Sequence, residues 1–172
     1  MPLIRSLAAS IAAILCALPA AAQTDAPTQI GQFSGWTAYT MPDGKRAACY
    51  ALSTPDKADD SVKRAKPNLM VTHRPSEKTY NVVSLDLGLD LTLNGSADVT
   101  VGKTDFSFFT KDHSAWSRDA DTDKAVVTAM VQGKELVIKA KPAKGKPLAD
   151  SYDLTGFAAA LAAIDKACAY KR

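Results

Sequence analysis
The chain has 172 residues, with 21 Lys and Arg against 18 Asp and Glu and a formal net charge of +3 with His neutral. Hydrophobic residues make up 47%, too many for a disordered chain, and so weak a charge does not advertise nucleic acid as a partner. Length and composition confine the sequence to an ordinary folded protein.

Met1 to Ala22 reads as a secretory signal peptide. Arg5 supplies the positive start, Leu7 to Leu18 the apolar stretch, and Ala20-Ala21-Ala22 the small residues before a cut. The apolar run is too short and too alanine-rich for a comfortable membrane span. Its removal leaves Gln23 to Arg172, a single domain able to bury about two-thirds of its unfolded surface. Cys16 departs with the signal, and Cys49 and Cys168 remain as an even pair in an oxidising compartment, the periplasm or beyond. That pairing predicts a Cys49–Cys168 disulfide, worth roughly 4–5 kcal/mol in the chain-entropy account.

Residues 23–32 read as a loose, polar lead, and 33–172 as one domain. Phe33 to Tyr39 predicts a strand anchored by Trp36, Met41-Pro-Asp-Gly44 a turn, and Lys45 to Ser53 a second strand. Thr54 to Pro67, rich in Asp and Lys, is expected to be irregular and exposed. Asn68 to Arg74 and Tyr80 to Leu85 predict two more strands. Leu85, Leu87, Leu89, Leu91 and Leu93 then alternate with polar residues and glycine at a clean period of two. A three-residue loop, Leu93-Asn94-Gly95, would turn this strand back and pair Leu91 with Ala97 and Leu89 with Val99.

Asp105 to Thr110 predicts a further strand, with Trp116 after a polar turn. Asp121 or Thr122 is placed to cap a short helix bearing Val126, Val127, Met130 and Val131 and closed by Gly133. Glu135 to Lys141 is a strand again, and Lys139 to Lys146 a protruding tip. The last element is an alanine-rich helix with Phe157, Ala160, Leu161, Ile164 and Cys168 on one face, capped by Thr155. Many short strands with two late helices indicate a mainly β sandwich whose C-terminal helix is tied to an early strand.

No stretch rises to a catalytic motif, and no cofactor is implied. His73 and His113 lack further metal ligands at suitable spacing and read as ordinary histidines. Asp112, His113 and Ser114 hold the residue types of a hydrolytic triad, but neighbours in sequence point apart. Asp119, Asp121 and Asp123 lack the glycine and closing glutamate of a calcium loop and are expected to serve the next helix N-terminus. Lys139, Lys141, Lys144 and Lys146 form a candidate anion-binding cluster for lipid or lipopolysaccharide headgroups, against the plainer reading of a solvated tip. Trp36, Trp116, Phe106, Phe108 and Phe109 read as core rather than a sugar-binding platform, and Arg74 as a structural bridge to an acid.

Several stretches resemble the invasion-associated locus B family of secreted bacterial proteins. They are Cys49-Tyr-Ala-Leu-Ser-Thr-Pro55, Val71-Thr-His-Arg-Pro75, Asn81-Val-Val-Ser84, Val101-Gly102, Phe108-Phe-Thr110, Ala115-Trp116 and the closing segment Asp153 to Cys168. The resemblance runs in order over nearly all of Gln23 to Arg172. It implies a periplasmic or envelope protein with an immunoglobulin-like β-sandwich, associated with host-cell invasion, and supplies no catalytic residues. The expectation is a non-enzymatic protein acting through protein or envelope contacts. The alternative is a binder of anionic lipid, lipopolysaccharide or a small ligand through Lys139–Lys146, in peripheral contact with the membrane surface.

Overall fold
The structure, a computed structural model, describes residues 26–172; the segment 1–22 read as a signal lies outside the described residues. Along much of the chain every second side chain is buried, the period a strand imposes when one face meets a core. The strands are β1 (Thr28–Phe33), β2 (Trp36–Asp43), β3 (Arg46–Ser53), β4 (Asn68–Arg74), β5 (Thr79–Asp86), β6 (Ser96–Val101), β7 (Thr104–Lys111), β8 (Ser114–Trp116), β9 (Glu135–Ala140) and β10 (Leu148–Asp153). Helix α1 (Ala120–Gln132) lies between β8 and β9, and α2 (Phe157–Ala167) closes the described chain.

The fold is mainly β with two helices, as the sequence predicts. All strands belong to one antiparallel sheet in the order β1-β2-β3-β4-β5-β8-β7-β6-β9-β10, which folds over on itself. Contacts from β2 and the segment after β3 to β10 help tie its halves together. The Trp36 indole N–H in β2 donates to the Asp153 carbonyl in β10 at 3.0 Å, and Lys57, after β3, pairs with Ser151 of β10. Trp36, Val71 and Leu85 from one half and Val99, Phe108 and Ile138 from the other are wholly buried. Helix α1 packs on β5, and α2 on β2 and β3.

Several expectations need correction. The polar lead contains β1, an edge strand that pairs with β2 across a bulge between Gln29 and Gly31. Its residues show little alternation because an edge strand with solvent on much of both faces needs none. The first turn falls later than Met41–Gly44. Pro42 stays in β2 opposite Ala47, and Gly44, at φ +61°, turns the chain. Pro42 is tolerated because β1 pairs with β2 only as far as Thr40, so the missing N–H has no neighbour to serve.

The leucine ladder is the larger correction. Strand β5 ends at Asp86, and the run from Leu87 to Gly95 forms no hairpin with β6. Both edges of β6 are taken: Ala97 pairs with Phe108 and Ala140, and Val99 with Phe106 and Ile138. Leu87 and Leu91 are buried and Leu93 is 75% exposed, so these side chains plug the core from a loop. Gly88, at φ +71°, lets that loop pass against the Ala65 carbonyl, 2.2 Å from where a Cβ would sit. A period of two records alternating burial and does not by itself name the partner strand.

Helix α1 is capped by Asp119, which accepts from the Thr122 N–H, and not by Asp121 or Thr122. Its buried face is Asp123, Val126, Val127 and Met130, while Val131 is exposed. The predicted face of α2 is correct: Phe157, Ala160, Leu161, Ile164 and Cys168 are all buried. Its start is not Thr155 but Gly156, at φ +90°, where a Cβ would lie 2.2 Å from the Phe33 carbonyl. The helix enters so close to β1 that only glycine fits.

Candidate functional site
The disulfide joins Cys49 of β3 to Cys168 at the end of α2, with Cα atoms 6.0 Å apart. A polar cluster surrounds it. His73, opposite Cys49 in the β3–β4 ladder, is completely buried. Its Nδ1 accepts from the Asn81 backbone N–H at 3.0 Å, which leaves Nε2 to donate to Asp165 at 2.7 Å. Asp165 also accepts from Arg172 at 2.6 and 2.9 Å. Tyr170 stacks on Tyr80 at 4.5 Å and its hydroxyl accepts from the Asn81 amide. Burial holds the His73 imidazole below its ordinary pKa, outweighing the pull of Asp165 in the other direction. With both ring nitrogens engaged and both sulfurs in the disulfide, this cluster offers no free base and no thiolate. Its chemistry is that of a clasp.

A second lock fastens the segment between β3 and β4, expected to be merely exposed. The Arg64 guanidinium reaches inward and donates to both oxygens of the fully buried Asp150, at 2.7 and 2.5 Å. It also donates to the Leu87 and Asp59 carbonyls, and the Asp59 N–H donates to Asp150. The adjacent Tyr152 is buried with its hydroxyl unpartnered, and burial pushes its pKa up.

The acidic trio divides its labour. Asp119 caps α1 and Asp121 lies exposed in the first turn, as expected of residues serving a helix N-terminus. Asp123 instead turns inward, accepting from the Val83 N–H and the Ser117 hydroxyl at 2.8 and 2.7 Å, and desolvation raises its pKa. His113 sits in the β7–β8 turn, 3.1 Å from Asp90, while His73 faces the disulfide, so the two histidines serve separate partners. Asp112 lies at φ +51° in that same turn, where its backbone carbonyl accepts from Leu91.

The four lysines are all exposed but not equivalent. Lys139 lies within β9 opposite Asp98, in a depression that also includes Asp105. Lys141, Lys144 and Lys146 belong to the β9–β10 loop. Leu91 bridges to Pro142 there, and Lys144 lines a shallow hollow with Lys63 and Asp90.

The outward face of β2, β3, β4, β5 and β8 carries the feature that the sequence reading missed. Trp116 and Phe109 point outward, half-buried and stacked at 5.5 Å, and are not core. Phe108 is core, and Phe106 packs at the core's margin beside α1. Tyr39 stacks on Tyr50 at 5.1 Å on the same outward face, where Met41, Leu52 and Met70 also stand half-exposed. Met41, Tyr50, Leu52, Met70 and Trp116, with Asn68, Thr72, Ser84 and Ser114, line a groove of about 450 Å³. Arg74 and Asp86 also border it. Among the described residues Arg74 meets no carboxylate within ion-pair distance, contrary to its expected structural bridge. None of the lining residues is a lysine. A signal for this face exists in the sequence: β2 and β3 carry apolar residues at both parities, Trp36 and Ala38 against Tyr39 and Met41, and Cys49 and Ala51 against Tyr50 and Leu52. A strand apolar on both sides needs cover on both faces.

Sheet, clasp and groove define a disulfide-tied β scaffold whose outer face mixes aromatic, methionine and polar side chains. A family model described as invasion associated locus B (IalB) protein matches residues 36–165. The chain belongs to this family. The crystal structure of invasion associated protein B from Bartonella henselae is similar in fold, with a TM-score of 0.59 and 16% identity, covering 81% of this chain and 95% of that one. No curated protein matches the chain.

Proposed function
We propose that this protein is an exported, non-enzymatic member of its family that works by docking a protein partner on the outward face of β2–β5 and β8. The observation that carries the reading is the half-exposed set Tyr50, Met70 and Trp116, with Arg74 at its border and no lysine within it. Protein interfaces are enriched in Tyr, Trp, Met and Arg and depleted in Lys, and Met adapts to varied partners. Export is supported by the Arg5-to-Ala22 pattern and by the disulfide, which an oxidising compartment sustains. Among the described residues no helix is long and apolar enough to cross a membrane. Periplasmic or envelope residence fits these features.

The test places a photo-crosslinking side chain at Met70 and, separately, at Lys144, in cells of the producing bacterium. Protein adducts at position 70 and none at 144 are expected. Adducts at 144 alone, or at neither position, overturn the reading.

The exposed Lys141, Lys144 and Lys146 favour a second reading, contact with anionic headgroups at roughly 1 kcal/mol per cation. Lys139, set against Asp98 and Asp105, adds less. Binding to phosphatidylglycerol vesicles that survives Lys→Gln at all four positions would reject it.

A further inference from the structure
Resting on the reading that the outer face docks a protein, we infer that its partner is a second copy of this chain, packed face to face. The cross-strand register supplies the argument. Leu52, Met70, Ser84 and Trp116 form one row across β3, β4, β5 and β8. Tyr50, Thr72 and Val82 form the parallel row two residues along each strand, on the same face. A two-fold axis lying in the face, across the strands and between these rows, exchanges them. Met70 then meets Thr72 of the partner subunit, Val82 meets the partner's Ser84, and Tyr50 meets the partner's Leu52. A larger side chain meets a smaller one in the first two pairs, and every contact occurs twice, as an isologous interface requires.

The charges obey the same operation. Arg74 ends β4 on one side of these rows, and Asp86 ends β5 on the other. The axis carries Asp86 of the partner subunit to within one strand spacing, about 4.8 Å, of the position above Arg74. The pair forms twice, once on each side of the axis. Both groups are available for it. Arg74 has no carboxylate partner among the described residues, and Asp86 spends one oxygen on the Gly88 N–H at 2.8 Å. Asn68, beside Asp86 in the ladder, offers a further acceptor to the same guanidinium. A face whose rows and charges complement themselves is addressed first to its own copy.

The experiment is sedimentation velocity on the oxidised mature chain between about 1 and 200 µM, with Arg74→Asp, Asp86→Arg and the double variant alongside. A dimer is expected within this range. Each single change opposes like charges twice and should weaken association roughly tenfold or more. The double variant restores both pairs in reversed sense and should return to within about threefold of the parent. Circular dichroism and melting of each variant separate lost association from lost folding. A monomer over the whole range overturns the proposal, as does a folded double variant no tighter than the singles. The crosslinker at Met70 distinguishes the two levels of the argument. An adduct of twice the chain mass supports the homodimer. An adduct with another protein leaves the docking reading standing and removes the homodimer, and no adduct removes both.

Discussion

His73 has lost all contact with water, and what its ring can do follows from two neighbours, the Asn81 N–H and the Asp165 carboxylate. Its folded pKa lies below the ordinary imidazole value of about 6.5. The unfolded chain therefore binds more protons than the folded one between that lowered value and 6.5, and stability falls with falling pH across that window. Urea unfolding of the parent and of His73→Gln between pH 5 and 8 should show this slope in the parent and a flatter one in the variant. As at Gly156, a single atom decides at Gly88. A methyl there meets the Ala65 carbonyl and must also occupy φ +71°. Gly88→Ala should cost about 1–3 kcal/mol in the same measurement.

The segment between β3 and β4 holds no helix or strand of its own; the Lys57–Ser151 bridge and the Arg64–Asp150 pair bind it to β10. Breaking a buried pair from one side leaves the other charge stranded. Arg64→Met should therefore cost about 3–5 kcal/mol, read from urea midpoints. Asp150→Asn should cost a comparable amount, because it removes the charge and turns one acceptor oxygen into an amide donor that faces the guanidinium. This segment was opaque in the sequence because its many charges imitate a solvated loop, and nothing local marks Arg64 as the one that turns inward. Helix α2 was legible because its face repeats at the helical period and ends in a cysteine. Its starting point was not, because Gly156 answers to the Phe33 carbonyl, far away in the sequence. The leucine run misled for the related reason that β6 finds its partners in β7 and β9. The outer face was hidden because Phe109 and Trp116 are the residue types a core uses, and only their pairing across β7 and β8 shows which side of the sheet they take.

The whole molecule is a curled sheet with its last helix fastened back to β3. The Cys49–Cys168 bond closes a separation of 119 residues, so removing it from the folded protein should cost roughly 4–5 kcal/mol. Thermal unfolding of Cys49→Ala/Cys168→Ala beside the oxidised parent measures this directly. The polar clasp of His73, Asp165 and Arg172 should keep the α2 end docked in the variant at moderate temperature. A scaffold fixed in this way can hold Tyr50, Met70 and Trp116 at its surface, and that face carries the proposed function. Hydroxyl-radical footprinting tests it most directly, since Met, Trp and Tyr are the side chains such radicals modify readily. In dilute purified protein Met41, Met70 and Trp116 should oxidise readily, while the fully buried Trp36 and Met130 should not. In concentrated envelope extract Met70 and Trp116 should become protected, with the Lys141–Lys146 loop unchanged. Equal oxidation of Met70 and Trp116 in both samples, or protection confined to the lysine loop, would contradict the account.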